Sequence, residues 1–294
     1  MSRPAIKQSK DAWKGMAFLA PALLFITALT IYPLFYSLWA SFTDLRLTSP
    51  VWRYVGFETY WLSLTNDIFR HSLVVTAFFL VTAVSLEFLV GFALALSFRQ
   101  MRGQHPIMRA LLMLPVMATP VSVGLIWKLM LNSDFGIIVH AGSVLGLGDV
   151  HWLSDTMMAV VSIIVMDVWQ WTPFMFLILL AGLEGLPADL FEAAEIDGAK
   201  RRHVLFGITL PLMAPIIAVA LVFRLMFAIA TFDSVFVLTK GGPALSTDLI
   251  TLFIQREGLM NLNVASASAA SFLVLIIAFV VIRVLFKKGF AGAH

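Results

Sequence analysis

Six long apolar runs, roughly 16–40, 72–98, 107–131, 157–181, 208–232 and 264–286, alternate with shorter polar stretches along the chain. A helix needs about 20 such residues to cross the roughly 30 Å hydrocarbon layer of a bilayer. None of the runs alternates apolar and polar positions over about ten residues, as strands of a membrane barrel do. Backbone groups in hydrocarbon must be paired within the spanning structure, so the pattern predicts an all-α polytopic membrane protein with six transmembrane helices. Pro21, Pro33, Pro115, Pro120 and Pro173 fall inside these spans. Neighbouring helices can satisfy the carbonyls that proline leaves free.

Charge orients the spans. Arg3, Lys7, Lys10, Lys14, Arg99, Arg102, Arg109, Lys200, Arg201, Arg202, Arg283, Lys287 and Lys288 fall on one side of a six-span arrangement. Arg46, Arg53, Arg70, Lys240 and Arg256 fall on the other. Short cytoplasmic loops collect basic residues, so both termini and the stretch 182–207 are expected in the cytoplasm. With 60% hydrophobic and 13% charged residues, the chain is not read as a soluble domain. Positive-inside loops account for its net charge of +3 without a nucleic-acid partner. There is no cysteine, hence no disulfide, thiolate nucleophile or cysteine-based metal site. The first run is too long for a signal-peptide core and suits an uncleaved anchor.

Among the polar interruptions, EAAEIDGAKRRHVLFGITLP at 192–211 stands out. Pro187 and Asp189 offer a helix start just before it. Gly198 can end that helix, because glycine enters the left-handed region without a Cβ penalty. Ala193 and Ala194 keep the helix slender for whatever docks on it, and Glu192 can meet a cation on that partner. The spaced residues Glu192, Ala193, Ala194, Gly198, Ile208, Leu210 and Pro211 resemble the EAA loop of the membrane subunits of bacterial ABC importers. The resemblance implies a type I importer permease fold, in which this segment is a coupling helix seated in a groove of the ATP-hydrolysing subunit. Glu192, Ala193, Ala194, Asp197, Gly198 and Pro211 would then be the coupling residues. FLAPALLFI and YPLFYSLWASF in the first run resemble the first span of carbohydrate importers, which embraces the partner subunit outside a five-helix core. TFDSVFVLTKGGP, 231–243, resembles a phrase of one permease subunit of the maltose and glycerol-phosphate type.

Ionisable residues inside spans are costly and face protein or water. Glu87 lies in the second span, with Gly91 one turn later allowing close helix approach. Asp167, Gln170, Trp171 and Phe174 recur at i, i+3, i+4 and i+7 and share a face of the fourth span. Arg224, Phe227 and Ala228 form a second stripe on the fifth. Acid, amide and rings together can bind a sugar through its hydroxyls and C–H faces, or can hold helices together. Arg224 either faces water or pairs with Asp167 or Glu87. In sugar importers of this family the contacting residues lie on the spans flanking the coupling motif, so the resemblance makes these seven residues the candidate substrate pathway. The aromatic stretch 41–71 reads as an interfacial belt or as a contact for an external binding protein.

The organisation expected is a cytoplasmic tail (1–15), a first helix with outer loop (16–71), a five-helix core (72–286) containing the coupling loop 182–207, and a cytoplasmic tail (287–294). No GxxxxGK[ST], HExxH or GxSxG pattern occurs, and the histidines are not paired at metal-ligand spacing. No catalytic or metal site is therefore assigned, and the resemblance implies that ATP and Mg bind on partner ATPase subunits. The resemblance implies a permease in a bacterial cytoplasmic (inner) membrane, surrounded by lipid. Its expected partners are a second permease, two ATPase subunits, an extracytoplasmic solute-binding protein and a small-molecule carbohydrate. An anionic sugar phosphate, a sulfonated sugar or glycerol phosphate is an alternative solute. A secondary transporter or an intramembrane enzyme using Glu87 or Asp167 are the alternatives from other classes.

Overall fold

The computed structural model describes residues 8–49, 51–100, 106–146 and 150–291. Arg3, Lys7 and Arg102 of the basic set, with residues 1–7 of the N-terminal tail and 292–294 of the C-terminal one, lie outside these residues. The helices are α1 (Gln8–Ser41), α2 (Glu58–Thr65), α3 (Asp67–Gln100), α4 (Pro106–Met117), α5 (Pro120–Met130), α6 (Ile137–Val144) and α7 (Thr156–Glu184). After them come α8 (Ala188–Ile196), α9 (Arg201–Val204), α10 (Leu210–Ile229), α11 (Asp233–Leu238), α12 (Ile250–Gln255) and α13 (Val264–Ala291). Wide π-helical turns occupy Leu205–Thr209 and Arg256–Met260. Among the described residues there is no β-strand, only an isolated bridge between Thr43 and Tyr54.

Five helical stretches are unbroken and long enough to span: Met16–Ser41, Asp67–Arg99, Thr156–Glu184, Arg201–Ile229 and Val264–Lys287. The run 107–131, expected as a single span, is instead two helices meeting at 94°. The break falls at Ala118-Thr119. Thr119 is extended (φ −66°, ψ 141°) and Pro120 opens the next helix. A residue before proline is pushed out of the helical region, and proline suits a first turn where its missing N–H is not needed. The stretch 182–207 is also less of a loop than expected. α7 continues to Glu184, and helix resumes at Arg201.

The chain divides into two compact units. One runs up to Leu64 and includes Arg256–Leu273. Its α1 is exposed along nearly all of the apolar stretch up to Trp39, as a lipid-facing helix is. The aromatic segment that follows is packed. The Phe42 ring meets Phe57 at 5.3 Å and Tyr60 at 5.4 Å between centroids, and Trp39 meets Trp52 edge-on at 4.7 Å. Backbone bonds from Leu47 N to Leu262 O (2.8 Å) and from Ala265 N to Leu45 O (3.0 Å) close the unit.

The other unit comprises Thr65–Gln255 and the chain from Val274 on. Asn66 caps α3 by accepting from Ile68 N (2.8 Å) and Phe69 N (3.1 Å), and Asp155 caps α7 by accepting from Met157 N and Met158 N (both 2.9 Å). The core joins Val84, Phe92, Ala95 and Phe98 of α3, Met175, Phe176, Leu179 and Leu183 of α7, and Met213, Ala220 and Ala228 of α10. Gly91 lets α3 and α7 approach; a Cβ there would lie 2.9 Å from Met175 Cβ and 3.1 Å from Phe176 N. Gly124 does the same for α5 and α11, since its Cβ would lie 2.6 Å from Ser234 O. Between α11 and α12, the buried Asp248 accepts from Ser72 Oγ of α3 at 2.7 Å, and Thr76 Oγ1 accepts from Ile250 N at 2.8 Å.

Candidate functional site

The first part of the site is α8 and its flanks. Pro187 stands immediately before the helix as its N-cap residue, and Asp189 lies in the first turn, where a carboxylate favours the dipole. The C-terminus closes as a Schellman motif. Ala199 N donates to Ala194 O (2.9 Å), Gly198 N donates to Glu195 O (3.0 Å), and Gly198 is left-handed at φ +67°. No atom lies within 4 Å of where a Gly198 Cβ would stand, so the glycine is needed for its backbone angle and not for space within this chain. Ala194 is buried, whereas Glu192, Ala193, Glu195, Ile196 and Asp197 are exposed. Of the two alanines, Ala194 therefore seats the helix on its own chain and Ala193 faces outward. Pro211 follows the π turn at the head of α10, where Leu210 N reaches Leu205 O.

The second part lies among α3, α7 and α10. Arg224 donates through Nε to Glu87 Oε2 (2.5 Å) and through Nη2 to Glu87 Oε1 (2.9 Å), and Nη2 also bonds Asp167 Oδ2. All three side chains are at most 1% exposed. A bidentate guanidinium–carboxylate pair is among the strongest charge-assisted contacts, and here it ties three helices together. Above it sits a ring cluster. Arg224 Cζ lies 4.9 Å from the Trp171 ring centroid, Trp171 stacks on Phe227 (5.4 Å, 17°), and Phe174 meets both rings edge-on at 6.0 and 5.8 Å.

This geometry sorts the seven pathway candidates. Asp167 and Arg224 are committed to the buried triad and present no surface. Gln170 is 2% exposed, and its Nε2 reaches Ala118 O at 3.4 Å, which pins the break between α4 and α5. Ala228 is part of the core. Those four side chains lie in the interior of this structure. Trp171 and Phe174 are half-buried, and Phe227 is 46% exposed. These three rings are the accessible part of the two stripes. One contact carried no sequence signal: Arg99 of α3, read in the sequence only as a cytoplasmic-side charge, places its Cζ 4.0 Å from the ring centroid of Phe191 of α8.

Comparison with known proteins fits this architecture. Residues 87–290 match the family described as "Binding-protein-dependent transport system inner membrane component". The trehalose/maltose transport system permease protein MalF of Thermococcus litoralis is 34% identical over 93% of this chain and 93% of its own. The sulfoquinovosyl glycerol transport system permease protein SmoG of Agrobacterium fabrum is 32% identical over 88% of this chain and 84% of its own. A chain of a bacterial ABC transporter involved in importing the acidic polysaccharide alginate superposes with a TM-score of 0.83, covering 96% of this chain and 97% of that one at 23% identity. That last likeness concerns the fold alone. The chain belongs to the family of inner membrane components of binding-protein-dependent transport systems, and its role is that of an ABC importer permease subunit rather than of an enzyme.

Proposed function

We propose that this permease forms half of the translocation pathway for a neutral sugar or sugar derivative, with α8 as its coupling helix. A second permease would complete the pathway, two ATPase subunits carrying ATP and Mg would dock on the α8 side, and a solute-binding protein would deliver the sugar from the opposite side. Both termini and α8 are then cytoplasmic. ATP-driven closure of the ATPases would shift the population from inward-facing to outward-facing, and hydrolysis would return it.

The observation that carries the choice of solute is the state of Arg224. It is the cation beside the Trp171–Phe174–Phe227 rings, and two carboxylates already hold it. An aromatic surface next to a cation whose charge two carboxylates already compensate suits the C–H faces of a neutral sugar better than a free phosphate or sulfonate. Relatives named for trehalose and maltose transport fit a neutral solute, and the relative named for sulfoquinovosyl glycerol transport represents the anionic alternative. Titrating the partner binding protein with maltose, trehalose and glycerol 3-phosphate tests the class directly, and tight binding of glycerol 3-phosphate alone would overturn it. With the bound sugar, Trp171→Ala should lower uptake by about fivefold or more while the complex still assembles, consistent with about 1 kcal/mol or more for an aromatic contact. Unchanged uptake affinity and rate would remove the rings from the pathway.

A further inference from the structure

The coupling helix is joined by the chain to two of the three helices that meet in the buried triad. α7 ends at Glu184, four residues before α8, and the α9–α10 helix restarts at Arg201, five residues after it. α7 carries Asp167 and α10 carries Arg224. The third helix, α3, carries Glu87 and has no covalent link to α8. It reaches α8 through a side chain: Arg99, in the last turn of α3, lies over the Phe191 ring with Cζ 4.0 Å from the centroid. Both residues are half-buried. Arg99 stands twelve residues along the same helix from Glu87, or about 18 Å at 1.5 Å per residue.

We infer that the Arg99–Phe191 stack is the positioning contact that makes α3 follow the coupling helix, so that the three triad-bearing helices shift together when α8 is displaced. The inference rests on the proposed role of α8 as the ATPase-coupling helix. A flexible lysine or an aliphatic residue would leave α8 able to move while α3 lagged, straining a triad that tolerates no separation. Phe191 has the ring face that a guanidinium seeks, and a half-exposed stack of this kind is worth about two- to fivefold in an equilibrium.

Because the chain has no cysteine, a single reporter cysteine is unambiguous. Phe227→Cys is introduced into the full complex with its ATPase subunits, and maleimide labelling is compared without nucleotide and with ATP and vanadate. In the reporter background labelling should change on trapping. Arg99→Gln and Phe191→Leu should each shrink that change about two- to fivefold, although the complex still hydrolyses ATP. The double variant should be no worse than either single one, and Phe191→Tyr should restore the response. Should a single variant fail to assemble, Arg99→Lys, which keeps the charge and loses the planar guanidinium over the ring, is read in the same reporter background. A response as large as the parent's in that variant overturns the inference, and a smaller one supports it. Equal responses in all variants also overturn it and leave the coupling role of α8 standing. If no ATPase assembles with the reporter complex, or nucleotide changes labelling in no background, the coupling role of α8 itself fails, and this inference with it.

Discussion

Arg224 is the residue on which the intramembrane site turns. Its stripe was legible in the sequence because an arginine, a phenylalanine and an alanine at helical spacing share one face. That it could pair with Asp167 or Glu87 was also legible. That it binds both at once, and is thereby lost to solvent, depends on three helices converging, which spacing along any one of them does not encode. Removing one partner from a buried ion cluster leaves an uncompensated charge and typically costs about 3–5 kcal/mol, whereas replacing the whole cluster with apolar residues of like volume is often nearly neutral. Arg224→Ala should therefore lower the melting temperature of the detergent-solubilised complex sharply, and Glu87→Met/Asp167→Leu/Arg224→Met should recover much of it. A thermal profile of Arg224→Ala indistinguishable from the parent would show that the triad does not hold these helices together.

At the scale of elements, the apolar runs predicted five spans within a few residues, because length and hydropathy suffice for straight helices in lipid. They did not reveal the 94° break between α4 and α5. The run stays apolar through Ala118-Thr119, and a proline inside a membrane helix is compatible with either a mild kink or a new start. Packing decides between them. α5 lies against α11 so closely that Gly124 has no room for a side chain, and Gln170 of α7 bonds the carbonyl at the break. Overpacking of this kind costs about 1–3 kcal/mol. Gly124→Ala should accordingly destabilise the solubilised protein by that order, measured as a loss of melting temperature, while Gly142→Ala, with open space around it, should leave it unchanged. Comparable losses in the two variants would mean that the close approach of α5 and α11 carries no such energy. The short helix α8 was legible as well, down to the left-handed glycine that ends it. Its attachment to α3 was not, since Arg99 in sequence looks like any basic residue at a membrane boundary.

The whole molecule is a membrane-embedded importer subunit whose proposed orientation rests on its basic residues. Reporter fusions after Asn261 should be active only outside the cytoplasm, and fusions after Lys200 and at the C-terminus only within it. A cytoplasmic signal from the 233–263 stretch would invert the arrangement and move α8 away from any cytoplasmic ATPase. Within that orientation, the account makes α8 the input, the buried triad the joint and the Trp171–Phe174–Phe227 rings the surface that meets solute. The rival readings separate here. A proton-coupled transporter would use Glu87 or Asp167 without nucleotide, and both are instead held by Arg224. The most direct measurement is sugar uptake into proteoliposomes holding the full complex and loaded with the binding protein outside, with ATP either sealed inside or omitted and with a pH gradient imposed or collapsed. Uptake should require internal ATP and ignore the gradient; uptake driven by the gradient without ATP would instead make the protein a secondary transporter.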